Sequence, residues 1–267
     1  MKKGKLIGKG MTAEVYEWGR DKVLKLYFDR FSDGWIKYEA KIGQTVNEAG
    51  VPSPEVFDIV DIDGRKGIIF QRIAGKSVLK HIETEPWNLY YFTQRIAGLH
   101  LKIHKCTADG IPSQKERFEF TINRSSELLG DKGKRILDYM KCLPDGESVC
   151  HGDLHFNNIV ISDDKYIAID WNSAYKGNPL GDVARTCLII TSPMVPPGTS
   201  DTMAALYHYT KWLIYRTYLN EYMRRSKARL EDIDAWMLPV AAAKLKDKVP
   251  GEEKWLMDII DKRLEQL

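Results

Sequence analysis

The sequence predicts an α+β protein of two lobes, a small β-rich N-terminal lobe with one helix and a larger, mainly helical C-terminal lobe. Three observations lead there. Short β-rich runs separated by turn residues fill roughly the first seventy positions, helical periodicity takes over from Pro86, and Gln71 to Gly75 reads as a linker between them. At 267 residues the chain can bury a core of its own and leave a cleft between lobes. The expected division is 1–74 and 75–267.

Leu6 to Gly8, Ala13 to Trp18 and Val23 to Phe28 form the first strand candidates. Ser32 or Asp33 then caps a helix carrying Trp35, Tyr38, Ile42 and Val46, which ends at Gly50 ahead of Pro52 and Pro54. Glu55 to Ile62 and Gly67 to Ile73 flank Asp63-Gly64, a pair suited to a tight hairpin turn. Pro86 opens a long helical segment through Tyr91, Ile96, Leu99 and Ile103, and a second runs from about Ser125 to Lys141. Between Ser148 and Trp171 the pattern returns to strands, Ile159 to Ile161 and Tyr166 to Asp170. Beyond Ser200 the chain reads as helical, with breaks expected at Pro239 and Pro250-Gly251.

Composition excludes more than it assigns. Hydrophobic residues at 43% and charged residues at 29% match ordinary globular usage, and no stretch approaches a membrane span. The start, Met1 to Gly8, is basic but lacks the apolar run of a secretory signal, so a cytoplasmic protein, monomeric or weakly dimeric, is expected. With 40 basic and 37 acidic residues, a net charge of +3 implies neither nucleic acid nor membrane as partner. The four cysteines, Cys106, Cys142, Cys150 and Cys187, form no C-x-x-C pair and read as buried free thiols.

Gly8-Lys9-Gly10-Met11-Thr12-Ala13-Glu14-Val15 fits G-x-G-x-x-A-x-V, in which Gly8 and Gly10 let backbone amides approach phosphate oxygens. The same letters fit a dinucleotide fingerprint, which needs a helix directly afterwards; Val15 to Trp18 reads as strand instead. Lys25 lies inside a strand and Glu39 on the following helix. A pair between them would hold the lysine toward nucleotide phosphates, whereas alone each suits a solvated surface. His151-Gly152-Asp153-Leu154-His155-Phe156-Asn157-Asn158, followed by Ile169-Asp170-Trp171, is more specific. Asp153 and Asn158 have the D-L-x-x-x-N spacing of a kinase catalytic loop, and Asp170 closes the next strand pair. Phosphoryl transfer needs a carboxylate to accept a hydroxyl proton and hard oxygen ligands for magnesium, and these residue types supply both. His100 and His104, four apart on a helix, lack the glutamate of H-E-x-x-H, so packing is expected of them rather than zinc.

These motifs resemble those of the aminoglycoside phosphotransferase and choline kinase-like family, which shares the protein-kinase-like fold. The resemblance runs from about Leu6 to Leu188 and includes Gln71-Arg72-Ile73-Ala74-Gly75, similar to the inter-lobe hinge, and Gly177 to Ala184 after the metal motif. It implies that Asp153 is the base, that Asn158 and Asp170 hold Mg2+, that Lys25 contacts the phosphates of ATP, and that the backbone of Gln71, Arg72 and Ile73 receives adenine. Asp182 is then expected to brace the catalytic loop.

A transferase moving phosphate from ATP to a small-molecule hydroxyl is the expected function. An atypical Ser/Thr protein kinase would use the same groups, but only eleven residues separate Asp170 from Asp182 and no A-P-E follows, leaving little room for a peptide-docking segment. A nucleotide-binding pseudoenzyme is the alternative from another class. The acceptor is expected to meet Ile111 to Glu147 and Ser200 to Leu267. Candidate features there are the acids Glu231, Asp232 and Asp234, which suit a polycation, and the aromatic run Tyr207, Tyr209, Trp212, Tyr215, Tyr218 and Tyr222, which suits a quaternary ammonium or a helical core. An aminoglycoside-like antibiotic, a choline-like amino alcohol and a sugar all satisfy that expectation.

Overall fold

The computed structural model describes residues 3–267; Met1 and Lys2, the start of the basic N-terminal run, lie outside the described residues. Strands β1 (Leu6–Lys9), β2 (Ala13–Glu17) and β3 (Lys22–Tyr27) precede α1 (Asp33–Glu48), and β4 (Val56–Ile62) and β5 (Arg65–Gln71) follow it. They form one antiparallel sheet in the order β1-β2-β3-β5-β4. Along β3 the side chains alternate. Leu24 and Leu26 pack with Trp18 and Ile69 on one face, while Tyr27 packs with Ile36 and Ala40 of α1 on the other. Lys25 shares the α1 face by the same period.

Ser32 caps α1, its hydroxyl accepting from the Trp35 amide at 3.3 Å. The buried stripe of α1 is Ile36, Glu39, Ala40, Ile42, Gly43 and Val46, rotated by one position from the expected Trp35-Tyr38 line. That rotation turns Glu39 inward. Trp35 and Tyr38 are half-buried instead, because Trp35 packs edge-on to Tyr27 at the rim of the sheet. Ile42 and Val46 join the large core of the helical part, so α1 is packed on both sides.

The chain then forms β6 (Lys76–Ser77), α2 (Val78–Thr84), α3 (Leu89–Ile103), α4 (Gln114–Asn123), α5 (Ser126–Leu129) and α6 (Lys132–Lys141). Next come β7 (Ser148–Cys150), β8 (Ile159–Ser162), β9 (Lys165–Ala168), β10 (Tyr175–Gly177) and α7 (Pro179–Thr191). The helices α8 (Asp201–Ser226), α9 (Leu230–Asp234), α10 (Met237–Lys244) and α11 (Glu253–Leu264) complete it. Strands β6, β8 and β9 form one small sheet, and β7 pairs with β10.

Several expectations are corrected. The single helix over Ser125 to Lys141 is two, because Gly130 adopts φ +49 between α5 and α6. Pro239 does not break the C-terminal helices; it lies in the first turn of α10, where an amide has no intrahelical acceptor to lose. Of the cysteines, Cys150 and Cys187 are buried, Cys106 is half-buried and Cys142 is exposed. No helix among the described residues is long and apolar enough to cross a membrane.

Candidate active site

Three segments distant in sequence meet at Lys25. Its ammonium lies 2.7 Å from Glu39 Oε1 on α1 and 3.0 Å from Asp170 Oδ1, which follows β9. The Lys25 side chain is 15% exposed and that of Glu39 only 3%, so neither is a solvated surface charge. Burial alone would depress the ammonium, but Asp170 and then Glu39 outweigh it and raise Lys25 above its ordinary value. Glu39 Oε2 and the nearby Tyr27 hydroxyl are buried without a hydrogen-bond partner among the described residues.

Asp170 has φ +67, in the left-handed region that few side chains other than Asn and Asp adopt readily. This turn ends the strand direction of β9 and sends the carboxylate back toward Lys25. The Asn172 side-chain amide also donates to Asp170 Oδ1, at 2.9 Å, so both recorded contacts fall on one oxygen. The other is left for a further partner.

The loop carrying Asp153 is fixed from beneath by Asp182, a fully buried carboxylate near the start of α7. Asp182 Oδ2 accepts from the His151 amide at 2.6 Å and Oδ1 from the Gly152 amide at 2.9 Å. His100 Nε2 and His104 Nε2 approach the same Oδ2 at 2.9 and 3.3 Å, and their Nδ1 atoms meet the hydroxyls of Tyr218 and Tyr222 on α8. Burial disfavours the Asp182 carboxylate, yet His100 and His104 hold its pKa well below the ordinary range. The paired histidines and the two tyrosines are thus hydrogen-bonded core, in keeping with the packing expected of them.

Gly152 has φ +75, and a Cβ there would stand 2.2 Å from the Ser173 carbonyl oxygen. No other residue fits this close crossing. His151 ties the loop to the strand end. The Asp153 amide donates to its Nδ1 at 3.2 Å, which leaves Nε2 to donate to the Ile169 carbonyl at 3.0 Å. Asn158 donates through Nδ2 to the Asp153 carbonyl at 3.0 Å, so its Oδ1 is the end without a partner inside the loop. The Ile169 amide in turn donates to the Asn158 carbonyl at 2.9 Å, which brings Asn158 and Asp170 onto adjoining chain segments.

The Asp153 side chain is 37% exposed, with His155 Nε2 at 3.6 Å and Arg185 Nη2 at 4.0 Å. Burial pushes its pKa up, but His155 and Arg185 prevail and bring it down to about 2. The carboxylate is therefore ionised at neutral pH. Arg185 is itself anchored, donating to the Gly152 carbonyl at 2.8 Å and to Asp247 Oδ2 at 2.8 Å. His155 belongs to the motif that the sequence singles out, whereas Arg185 is not among the sequence candidates. Arg185 sits one residue past the matched Gly177 to Ala184 segment, and nothing in its neighbours' spelling marks it as reaching back to the loop.

Gly8 lies within β1, paired with Val15, and Gly10 in the turn to β2, where its amide donates to the Ala13 carbonyl at 2.9 Å and Met11 projects 84% exposed. The chain continues as a strand, which rules out the dinucleotide arrangement with its helix at that point. At the linker, the Gln71 and Arg72 amides are already donated to Glu55 and Asp21 at 2.8 and 3.0 Å, and the Arg72 guanidinium pairs with Glu17. Among the described residues the Ile73 amide has no protein acceptor.

The acceptor candidates divide. Asp232 is paired with Arg229 and Asp234 with Arg263, so the acidic group on α9 is largely neutralised. Tyr218 and Tyr222 are core, while Tyr207, Tyr209 and Trp212 face solvent, with Tyr209 stacked on Trp212 at 5.9 Å.

The chain shares this architecture with solved kinases. A thermostable variant of aminoglycoside phosphotransferase APH(4)-Ia, in ternary complex with AMP-PNP and hygromycin B, superposes with TM-score 0.65 at 19% identity, covering 97% of this chain and 91% of that one. An amicoumacin kinase, in complex with AMP-PNP, Ca2+ and Ami, superposes with TM-score 0.59 at 14% identity, covering 97% and 88%. An aminoglycoside-3'-phosphotransferase of type VIII gives 0.56 at 15% identity, covering 90% and 91%. At these identities the likeness is one of fold. No curated protein matches the chain by sequence. The sequence model of the phosphotransferase enzyme family, however, matches residues 3–218, most of the 267. The chain belongs to the phosphotransferase enzyme family and has a protein-kinase-like fold.

Proposed function

We propose that this protein transfers the γ-phosphoryl group of ATP to a hydroxyl of a small molecule, with Asp153 as general base. The meeting of Lys25, Glu39 and Asp170 within 3.0 Å, beside a loop braced by Asp182, is the observation that supports this best. In this reading residues 1–74 are the nucleotide-binding lobe and 75–267 the lobe that binds the acceptor and carries the chemistry. Gly8 and Gly10 cover the phosphates, Lys25 contacts them, and Glu39 holds Lys25 in place. Of the linker residues Gln71, Arg72 and Ile73, the free amide of Ile73 is the one able to donate to adenine; the other two supply carbonyls and shape.

Asn158 Oδ1 and the second oxygen of Asp170 are hard, unengaged acceptors, a donor set that fits Mg2+. Bound there, the ion would neutralise charge on the transferred phosphate. Asp153, ionised but weakly basic with a pKa of about 2, first orients the acceptor hydroxyl by accepting its hydrogen bond. It takes the proton late, once the oxygen has begun to bond to phosphorus and become more acidic.

A protein-kinase reading is less well supported. The run between Asp170 and Asp182 is spent on a short turn at Trp171–Ser173 and on β10, which pairs with β7, so no free segment remains to dock a peptide. Calorimetry with Mg-ATP, followed by coupled ADP release over hydroxyl compounds and a generic protein substrate, tests the proposal. Nucleotide binding with ADP release stimulated by a small molecule is expected. Binding without turnover of any compound would favour a pseudoenzyme.

A further inference from the structure

Beside Asp153 lies a narrow hollow of about 30 Å³, lined among others by Arg117, Thr121, Gly152, Ser173, Arg185 and Lys246. So narrow a space suits a small group such as a carboxylate or the outer part of a phosphate rather than a whole sugar. The lining is strongly positive. Asp247, the carboxylate in it, is occupied: its Oδ2 lies 2.8 Å from Arg185 and 3.7 Å from Lys244. Arg117 donates to the Tyr38 hydroxyl at 3.2 Å and the Asn172 carbonyl at 3.1 Å, both neutral, which aims the guanidinium without cancelling its charge. Arg124, at the end of α4 and outside the lining itself, lies over the Phe120 ring at 5.5 Å from its centroid. Arg117, Arg124 and Lys246 make no ion pair among the described residues. Surrounding protein, and then the positive charges of Arg117, Arg185 and Arg124 against Asp247 alone, push the Lys246 ammonium below its ordinary value.

Uncompensated like charges held together cost the fold energy that an anion in the same space would return. Arg117 and Arg124 come from one region expected to meet the acceptor and Lys246 from the other, and Gly152 places the hollow next to the base. The acids that could have drawn a polycation, Asp232 and Asp234, are instead paired with arginines.

We propose that the hollow receives an anionic substituent of the phosphate acceptor, which is therefore a hydroxyl-bearing acid or phosphate ester rather than a polycationic aminoglycoside or a quaternary amino alcohol. The proposal rests on the phosphotransferase reading above. The acceptor oxygen forms its bond to the γ-phosphorus as the bond from that phosphorus to the β–γ bridging oxygen breaks. ADP leaves with the electron pair, and the hydroxyl proton passes to Asp153. Holding the acceptor by its anionic end at Arg117 and Lys246 fixes the direction from which the hydroxyl approaches.

The test is coupled ADP release with the full chain over compounds grouped by charge: hydroxy acids and sugar acids, sugar phosphates, neutral sugars, amino alcohols, and aminoglycosides. Stimulation confined to the two anionic groups is expected, and comparing them separates carboxylate from phosphate ester. Lys246 and Arg124 reach solvent, so Lys246→Glu and Arg124→Glu should fold as the wild type does. Each is expected to raise KM for the anionic acceptor about tenfold or more while KM for ATP stays within twofold, and Lys246→Arg should restore the acceptor KM. A neutral or cationic compound turned over as well as any anion would overturn the proposal and leave phosphotransfer standing. A rise in KM for ATP instead of the acceptor would reassign the cations to the nucleotide and overturn it too. ADP release stimulated by no group, with Mg-ATP still bound, would overturn the phosphotransferase reading beneath it.

Discussion

Replacing Asp182 by asparagine removes one charge and almost no volume, yet four donors converge on that carboxylate. Oδ2 takes the His151 amide at 2.6 Å with His100 and His104 at 2.9 and 3.3 Å, and Oδ1 takes the Gly152 amide at 2.9 Å. An asparagine presents one oxygen and one NH2, so whichever way it turns, an NH2 faces a donor. Leaving a buried donor without its acceptor costs about 1–3 kcal/mol, against a total stability of roughly 5–15 kcal/mol for a domain. Asp182→Asn should therefore lower stability by about 2–3 kcal/mol, read from the urea unfolding midpoint at neutral pH. Because His151 and Gly152 precede Asp153 directly, kcat should fall while KM for ATP changes little. A variant within about 1 kcal/mol of wild type, with unaltered kcat, would refute the claim that Asp182 braces the loop.

Lys25→Met should reduce kcat by about 10²–10³-fold, the usual cost of losing one preorganised donor to developing charge; steady-state rates with unchanged kcat would make Lys25 a structural residue only. Acid sensitivity is predicted from His104, whose pKa burial and then the neighbouring His100 lower from 6.5 to about 4. Between those values the unfolded chain takes up a proton that the folded chain does not, so stability is lost as the pH falls from about 6.5 toward 4, by up to about 3 kcal/mol. Urea midpoints over that range check the slope, and His104→Gln should flatten it.

The residues of the loop, Asp153, Asn158 and Asp170, were legible because their chemistry demands particular letters at close spacing. Lys25 and Glu39 were legible only as a conditional pair. Their partner Asp170 is far off in sequence, and α1's buried stripe is rotated by one position from the most apolar line, which alone brings Glu39 inward. Short elements escaped for a related reason. Strands β7 and β10 have three residues each and exist through pairing across 24 intervening positions, so local pattern carries no trace of them. Pro239 misled because a proline in a first turn and one in a helix interior are spelled alike. The Arg185–Asp247 pair and the cations around Lys246 are contacts between α4, α7 and the turn after α10, assembled by packing alone.

The central claim is that Asp153 receives the proton of the acceptor hydroxyl in phosphoryl transfer from ATP. Acceptor-stimulated ADP release by Asp153→Asn, measured beside Mg-ATP affinity by calorimetry, tests it most directly. A loss of about 10²-fold or more in kcat, with nucleotide affinity within a few-fold of wild type, is the predicted result. Turnover equal to that of the wild type would contradict it.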